Sequence, residues 1–581
     1  MLIAQNLIGT IMSNNNMLES KEISKNFSYI FLGILSIIAI FIRVNGANDY
    51  YYHPDEFFII NIAKGNNIGE VLRFSLFETH PPLYYIFLHY WIQISQEMWF
   101  VRGLSLLFGI ALIPLYYLIG KKLGGEVCGL CVAILVAFSH GAINQSYVAR
   151  QYTVFLFFIS CYFYWYLIWK EKLATSLPLS SKFKFCGFLL ALLACLSHFS
   201  AIFAIFTIAA YESVFLYKHK KSRNLAYWIA VNIALALIYI IIQYIWRDGN
   251  AVLTLQVFYE AYVKNGKISI SDLLGLGPSA PIINSYYVVP SHIWVFAILA
   301  MAFVVLKRNI NIKPIFHLLL IAFALEVFLT ASGIYPFLNS RRTIWILLFV
   351  VPFSGLVISE FLVMAEEKLQ YKNTKIIGVI LLALLALLSY DREARFSESG
   401  DQGAAVFEYN TISEQEISDV RKYLQNLDNK SLILLGRSDV FLVTSDKQNP
   451  YKFMNKQSFN PQSLAVMPYH QSNILFAASY YPSPIEELLK SEKAKNSLNT
   501  ADNLIFLNTP YMPSLASDLI DCQQLDKKII DFPYHGEKRT FARKATSHNI
   551  TALVIVKKQD FFEQVLSPTG KANKCLKQGN L

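Results

Sequence analysis

From about residue 27 the chain repeats one pattern, a run of roughly 14–22 mostly apolar residues followed by a polar turn. The apolar residues are clumped rather than spaced at helical or strand period, so each run reads as a membrane span. The runs are Phe27–Val44, Arg102–Gly120, Val127–Ile143, Tyr152–Trp169, Phe183–Ser197, Phe199–Tyr217 and Leu225–Trp246, then Ser291–Leu306, Pro314–Ser332, Thr343–Met364 and Ile376–Ser389. That makes about eleven spans. A long polar-aromatic loop, residues 45–99, separates the first two and carries amphipathic pieces of its own. Beyond Asp391 the pattern shortens to strand-length blocks, Ser431–Leu435, Asn473–Ala477, Asn503–Leu507 and Asn549–Val556. Helical stretches alternate with them, one opened by the capping box Ser413-x-x-Glu416. The expected organisation is a cytoplasmic tail (1–27), an α-helical polytopic membrane domain with amphipathic surface helices (28–390) and a separate α/β domain (391–581).

Charge supplies the orientation. With the N-terminus inside, the inner turns hold Lys121 and Lys122, Lys170 to Lys184, Lys218 to Arg223, Lys307 to Lys313, and Lys368 to Lys375. The short outer loops carry only Arg150 and the pair Arg341 and Arg342. Positive charge therefore collects on one side, as cytoplasmic loops require, and the odd span count places the α/β domain outside. A formal charge of +11 could point to nucleic acid, but the basic residues lie between apolar runs, which excludes that partner. Composition agrees: 54% hydrophobic and only 16% charged residues exceed what a soluble core hides. Among the cysteines, Cys128 and Cys131 form a lone C-x-x-C inside a span, with no second pair to make a zinc site. Cys522 and Cys575 lie in the tail and could pair in an oxidising compartment.

Four clusters carry possible chemistry, and the topology puts all of them outside. His53-Pro54-Asp55-Glu56 starts a helix at Pro54, expected to lie flat on the bilayer through Phe57, Phe58, Ile59 and Ile62. Its carboxylates suit a general base, or a base with a metal-binding neighbour, although acidic residues also favour helix N-termini. Thr79-His80-Pro81-Pro82 forms a rigid corner before a short apolar helix, Leu83–Ile94, presenting His80 and Tyr84. Gln145 to Tyr152 contains Arg150 at the edge of a span, where submerging a cation is expensive; a lipid phosphate would explain it, as would snorkelling. Asn339-Ser340-Arg341-Arg342 adds a second basic pair, joined by Arg102 at the start of a span and by His198 at an outer turn. Glu326 and His317 sit inside a span and receive no role.

These elements in order resemble the polyprenyl- and dolichyl-phosphate-sugar glycosyltransferases of family 39 type, which include protein mannosyltransferases and the lipid A aminoarabinose transferase. The resemblance rests on Asp55-Glu56, His80 to Tyr85, Arg102 with Leu107-Phe108-Gly109, Lys121-Lys122-x-Gly124, and Ser146-x-x-Ala149-Arg150-x-Tyr152. It covers residues 28 to 170, and His198-Phe199 and Arg341-Arg342 extend it loosely. It implies a GT-C architecture and an inverting transfer from a polyprenyl-phosphate sugar to a lipid, glycan or protein acceptor. Asp55 would be the base, with Glu56 assisting it or, with His80, placing a divalent metal. Arg150, with Arg102 or Arg342, would hold the departing phosphate. Relatives often have His-Tyr and Arg-Tyr where this chain has His198-Phe199 and Arg342-Thr343. Two other readings remain: a flippase of lipid-linked precursors, and a polymerase or ligase using a diphosphate-linked donor.

Overall fold

The computed structural model describes residues 25–47, 51–52, 54–76, 78, 80–175, 179–242, 301–302, 312–332, 341–371, 373–388, 412–435, 464–469, 471–477, 497–508, 515–532 and 551–567. At Asp55, Arg341 and Arg342 the description is of the backbone alone. The first apolar run is α1 (Lys25–Ala47). On it Ile30, Ile34, Ile37 and Phe41 form an exposed stripe at helical spacing, while Leu35, Ala39 and Ile42 are buried against protein. That stripe needs lipid to cover it. Among the described residues, six helices are long and apolar enough to cross a membrane. The expected span Ser291–Leu306 lies outside the described residues apart from Met301 and Ala302.

Three short helices lie in the loop between the first two apolar runs: α2 (Pro54–Ala63), α3 (Ile68–Ser75) and α4 (Leu83–Trp91). The expectation that α2 lies flat on lipid is overturned. Phe57, Phe58, Ile59, Ile60, Ile62 and Ala63 are all buried, packed with Val71, Phe74, Tyr85 and Leu88 and with apolar residues of the C-terminal domain. The reason was present in the run itself: a helix apolar on all sides needs cover on all sides.

Next comes α5 (Met98–Ala137), which is two antiparallel arms. The backbone leaves helical geometry at Gly124 and Gly125, and Gly125 adopts φ 78°, which favours glycine. The arms meet through small residues: a Cβ on Gly129 would stand 2.9 Å from the Tyr117 ring, and one on Gly120 2.7 Å from the Cys128 carbonyl. Replacing Gly129 with Leu should overpack this seam and cost about 1–3 kcal/mol. Thermal unfolding in detergent checks it, and an unchanged Tm would mean that the arms have slack there. The second arm stops at Ala137, short of the expected Ile143, and Ser139 opens a separate short helix, α6 (His140–Asn144).

The bundle continues with α7 (Tyr152–Ala174), α8 (Ser181–Ser197), α9 (Ala201–Lys218), α10 (Ser222–Ile240) and α11 (Lys313–Ala331). A 3₁₀ turn, Arg341–Ile346, leads into α12 (Leu347–Leu369), and α13 (Thr374–Leu388) follows. The basic turns gather at one end. Lys122 pairs with Glu171, Lys170 with Glu212 at 2.9 Å, and Lys221 Nζ donates to the Leu173 carbonyl at 2.7 Å. Because α7 runs from Tyr152 to Ala174, the loop carrying Arg150 lies at the opposite end. Glu212, a carboxylate inside a span, is satisfied there by Tyr166, Trp169 and Lys170.

The C-terminal domain is a six-stranded mixed sheet with order β4-β5-β3-β6-β8-β7. The strands are β3 (Ser431–Leu435), β4 (Leu464–Tyr469), β5 (Ser472–Ala477), β6 (Asn503–Asn508), β7 (Lys528–Phe532) and β8 (Thr551–Lys557). The three central strands β5, β3 and β6 are parallel, and the others pair antiparallel. Alternate residues serve two cores. Ile433, Leu435, Ile505 and Leu507 face helices α2 to α4, while Leu432, Leu434, Leu504 and Phe506 face the other side. The sequence expectation found the four inner strands and missed β4 and β7. Those are the edge strands, where Pro468 in one and Lys528 and Asp531 in the other interrupt the apolar pattern. A two-residue ladder, β1 (Tyr51–Tyr52) with β2 (Ile412–Ser413), joins the chain just before α2 to the chain just before α14 (Glu414–Gln425). Cys522 is disulfide-bonded, and Cys575 lies outside the described residues.

Candidate functional site

The site is built where α2, α4, both ends of the α7 entry loop and the α8–α9 turn converge. Asp55 and Glu56 occupy the first turn of α2 behind Pro54. The Glu56 side chain is fully buried, and the guanidinium of Arg102 grips it with two hydrogen bonds, Nε to Oε1 at 3.0 Å and Nη2 to Oε2 at 2.8 Å. The backbone N–H of Ala149 donates to the same Oε1 at 2.7 Å. One carboxylate thus ties together α2, the start of α5 and the loop before α7, in the planar bidentate geometry that suits Arg.

One turn along α5, Ser105 Oγ donates to the Arg150 carbonyl at 2.9 Å and meets Tyr84 Oη at 2.8 Å. Thr153 Oγ1 donates to the Ser105 carbonyl at 2.9 Å. Burial holds the Tyr84 phenol well above its usual range, against the opposing hydrogen bond to Ser105. Tyr84 therefore stays protonated and serves as a donor rather than a base.

The Arg150 guanidinium reaches the other way. Its Nη2 lies 3.3 Å from His80 Nε2, and its centre is 5.7 Å from the Tyr152 ring. Guanidinium only donates, so His80 Nε2 accepts. The His80 ring stacks on His198 at 5.2 Å. His198, the residue closing α8, also packs on Tyr152 at 5.0 Å and Phe155 at 5.3 Å. Its Nδ1 accepts from the Ser200 N–H at 3.1 Å, which in the neutral ring leaves the proton on Nε2.

Of the residues singled out in the sequence, Glu56, His80, Tyr84, Arg102, Arg150, Tyr152 and His198 thus form one connected set, and Asp55 precedes Glu56 in the same helical turn. His53 lies outside the described residues. Arg341 and Arg342 open the 3₁₀ turn, which packs against α6, α7, α9 and α12. Its Trp345 ring lies 6.2 Å from Phe203 in the first turn of α9. Sequence reasoning missed Arg43, which is fully buried near the C-terminal end of α1. It donates to the carbonyls of Ala39 at 3.3 Å and Ala137 at 3.0 Å and to Ser146 Oγ at 3.3 Å, capping the second arm of α5. The signal was available, since Arg43 is another arginine at the end of an apolar run, like those already singled out. Ser105 carried no signal, being one hydroxyl in an apolar run.

The Glu56 carboxylate, the expected metal-placing group, is engaged by protein donors here. Both Glu56 oxygens accept from a guanidinium, and among the described residues no group of three or more His, Cys, Asp or Glu could hold an ion. Glu326 on α11 is 1% exposed, and among the described residues neither oxygen has a hydrogen-bond partner.

No family model matches the chain, and no curated protein does. Solved structures do. The apo oligosaccharyltransferase of Archaeoglobus fulgidus matches with a TM-score of 0.51 at 11% identity, over 83% of this chain and 70% of that one. ArnT from Cupriavidus metallidurans in the apo state matches with a TM-score of 0.49 at 10% identity, over 92% of this chain and 98% of that one. The same protein bound to undecaprenyl phosphate gives 0.45 at 10% identity, over the same shares of the two chains. The likeness to the archaeal enzyme is one of fold, a helical membrane domain followed by a small sheet region. It does not extend to family 39.

Proposed function

We propose that the chain is an inverting glycosyltransferase that moves a sugar from a polyprenyl-phosphate donor to a lipid, glycan or protein acceptor at the non-cytoplasmic face of the membrane. The observation that carries this is the gathering of Arg150, His80, Tyr152 and His198 beside the Asp55 helix, at the end of the bundle away from the basic turns. The segregated lysines and the disulfide at Cys522 support the outer placement.

In this reading Asp55 takes the proton of the acceptor hydroxyl. The acceptor oxygen attacks the anomeric carbon from the face opposite the phosphate, and the bond between that carbon and the phosphate oxygen breaks. Its electron pair leaves with the polyprenyl phosphate. Phosphate needs no acid to depart, only a cation to stabilise the charge that develops on it, and Arg150 supplies one at the hydrocarbon boundary. A single base is then enough, unlike the acid and base pair of a glycosidase. Glu56 and Arg102 act together as the brace that holds α2 and the Arg150 loop in register. Arg341 and Arg342 are further candidates for the phosphate, and no step is assigned to a metal.

The test is to supply membranes holding the protein with a panel of polyprenyl-phosphate sugars and matched diphosphates, and to identify the product by mass. A glycosylated product from a monophosphate donor is expected. Transfer from diphosphates alone would replace this reading with a polymerase or ligase, and donor translocation without transfer would replace it with a flippase. Arg150→Ala should weaken donor binding about 10–100-fold, the worth of a charge-assisted hydrogen bond. Unchanged donor affinity would remove Arg150 from the phosphate.

A further inference from the structure

Beside Arg150 stands a polar side chain that the brace and the cationic cluster leave unused. Gln151 is 1% exposed, and among the described residues neither its amide nitrogen nor its amide oxygen has a hydrogen-bond partner. Leaving both ends of a buried amide unmade is costly and uncommon. Its position says what it faces. Gln151 closes the N-terminal end of α7 in helical geometry, so it shares a stripe with Phe155 and Phe158. The Phe155 ring packs on His198 at 5.3 Å, and the Phe158 ring packs on Phe87 of α4 at 6.4 Å. The stripe therefore faces the seam between the α8–α9 turn and α4, where His80 stacks on His198. Helical side chains lean toward the N-terminus of their helix, which for Gln151 is the end of α7 beside Arg150.

We infer that Gln151 is a sugar subsite, its carboxamide reading an adjacent pair of hydroxyls on the donor's monosaccharide. The chemistry selects this ligand. A phosphate only accepts and would leave the amide oxygen unpaired. An ammonium on an amino sugar only donates and would leave the amide nitrogen unpaired. Two neutral hydroxyls, each both donor and acceptor, satisfy both ends. The inference rests on the glycosyltransferase reading and narrows its donor to one whose sugar presents uncharged vicinal hydroxyls at this point.

The experiment measures binding of two kinds of probe to purified full-length protein in nanodiscs. One is undecaprenyl phosphate without sugar. The other is undecaprenyl phosphate carrying glucose, galactose, mannose, N-acetylglucosamine or 4-amino-4-deoxyarabinose. In the wild type at least one neutral sugar should bind more tightly than the bare lipid. Gln151→Leu should remove that advantage, about a tenfold loss for the loaded probe, and leave the bare lipid unchanged. Its Tm should hold or rise, because the substitution deletes unpaired polar atoms, so misfolding cannot imitate the result. Equal losses for bare and loaded lipid, or no loss for either, would overturn the subsite. Failure of the wild type to bind the bare lipid at all would instead sink the donor reading beneath it.

Discussion

Asp55→Asn is expected to lower sugar transfer by about 10²–10⁴-fold while leaving donor affinity near the wild-type value. The asparagine keeps the size and hydrogen-bonding reach of the carboxylate and removes only its capacity to take a proton. The position favours the charged form that a base needs. Asp55 lies in the first turn of α2, behind Pro54, where the helix's exposed N–H groups stabilise an anion. The neighbouring carboxylate does not compete, because Glu56 is already engaged by Arg102 and the Ala149 N–H. Rates under single-turnover conditions, with donor binding measured separately, distinguish a lost base from a lost site. Transfer that survives in Asp55→Asn would remove Asp55 from the chemistry. Unaltered donor translocation by the variant would argue for a flippase.

The helical runs that fall on described residues were legible because lipid leaves a chain few choices. Every backbone polar group must be paired within its own segment, so Tyr152–Trp169 or Phe199–Tyr217 can only be helices, and their ends are fixed to within a few residues. The inner strands of the C-terminal sheet were legible for the same kind of reason, since both of their faces are buried and their sequences are continuous apolar blocks. Pairings across distance were not. His80 and His198 stack only because α4 and the α8–α9 turn meet in space, and nothing local to either histidine announces the other. Glu56 shows the same limit more sharply. As Pro54-Asp55-Glu56 it reads as one of two equivalent acids at a helix start. Burial and a guanidinium from α5 make it a brace, a difference settled by residues more than forty positions away.

That distinction gives the second large expected effect. Glu56 and Arg102 are a buried bidentate pair, exposed by 0% and 5%. Removing one partner strands the other's charge in the interior, and such single substitutions typically cost about 3–5 kcal/mol. Glu56→Leu should therefore lower stability strongly, as should Arg102→Met. The double variant should recover much of the loss, because two apolar chains of similar volume leave no stranded charge. Recovery falls short by the Ala149 N–H, which loses its acceptor and costs about 1–3 kcal/mol. The cycle, read from thermal unfolding in detergent, yields the coupling between the two residues. It also separates the roles first suggested by the sequence. If Arg102 held the lipid phosphate, the double variant would be restored in stability yet defective in donor binding. If the pair is a brace, donor affinity per folded molecule should return together with stability, because what Arg150 needs from Arg102 is the position of the loop it stands on.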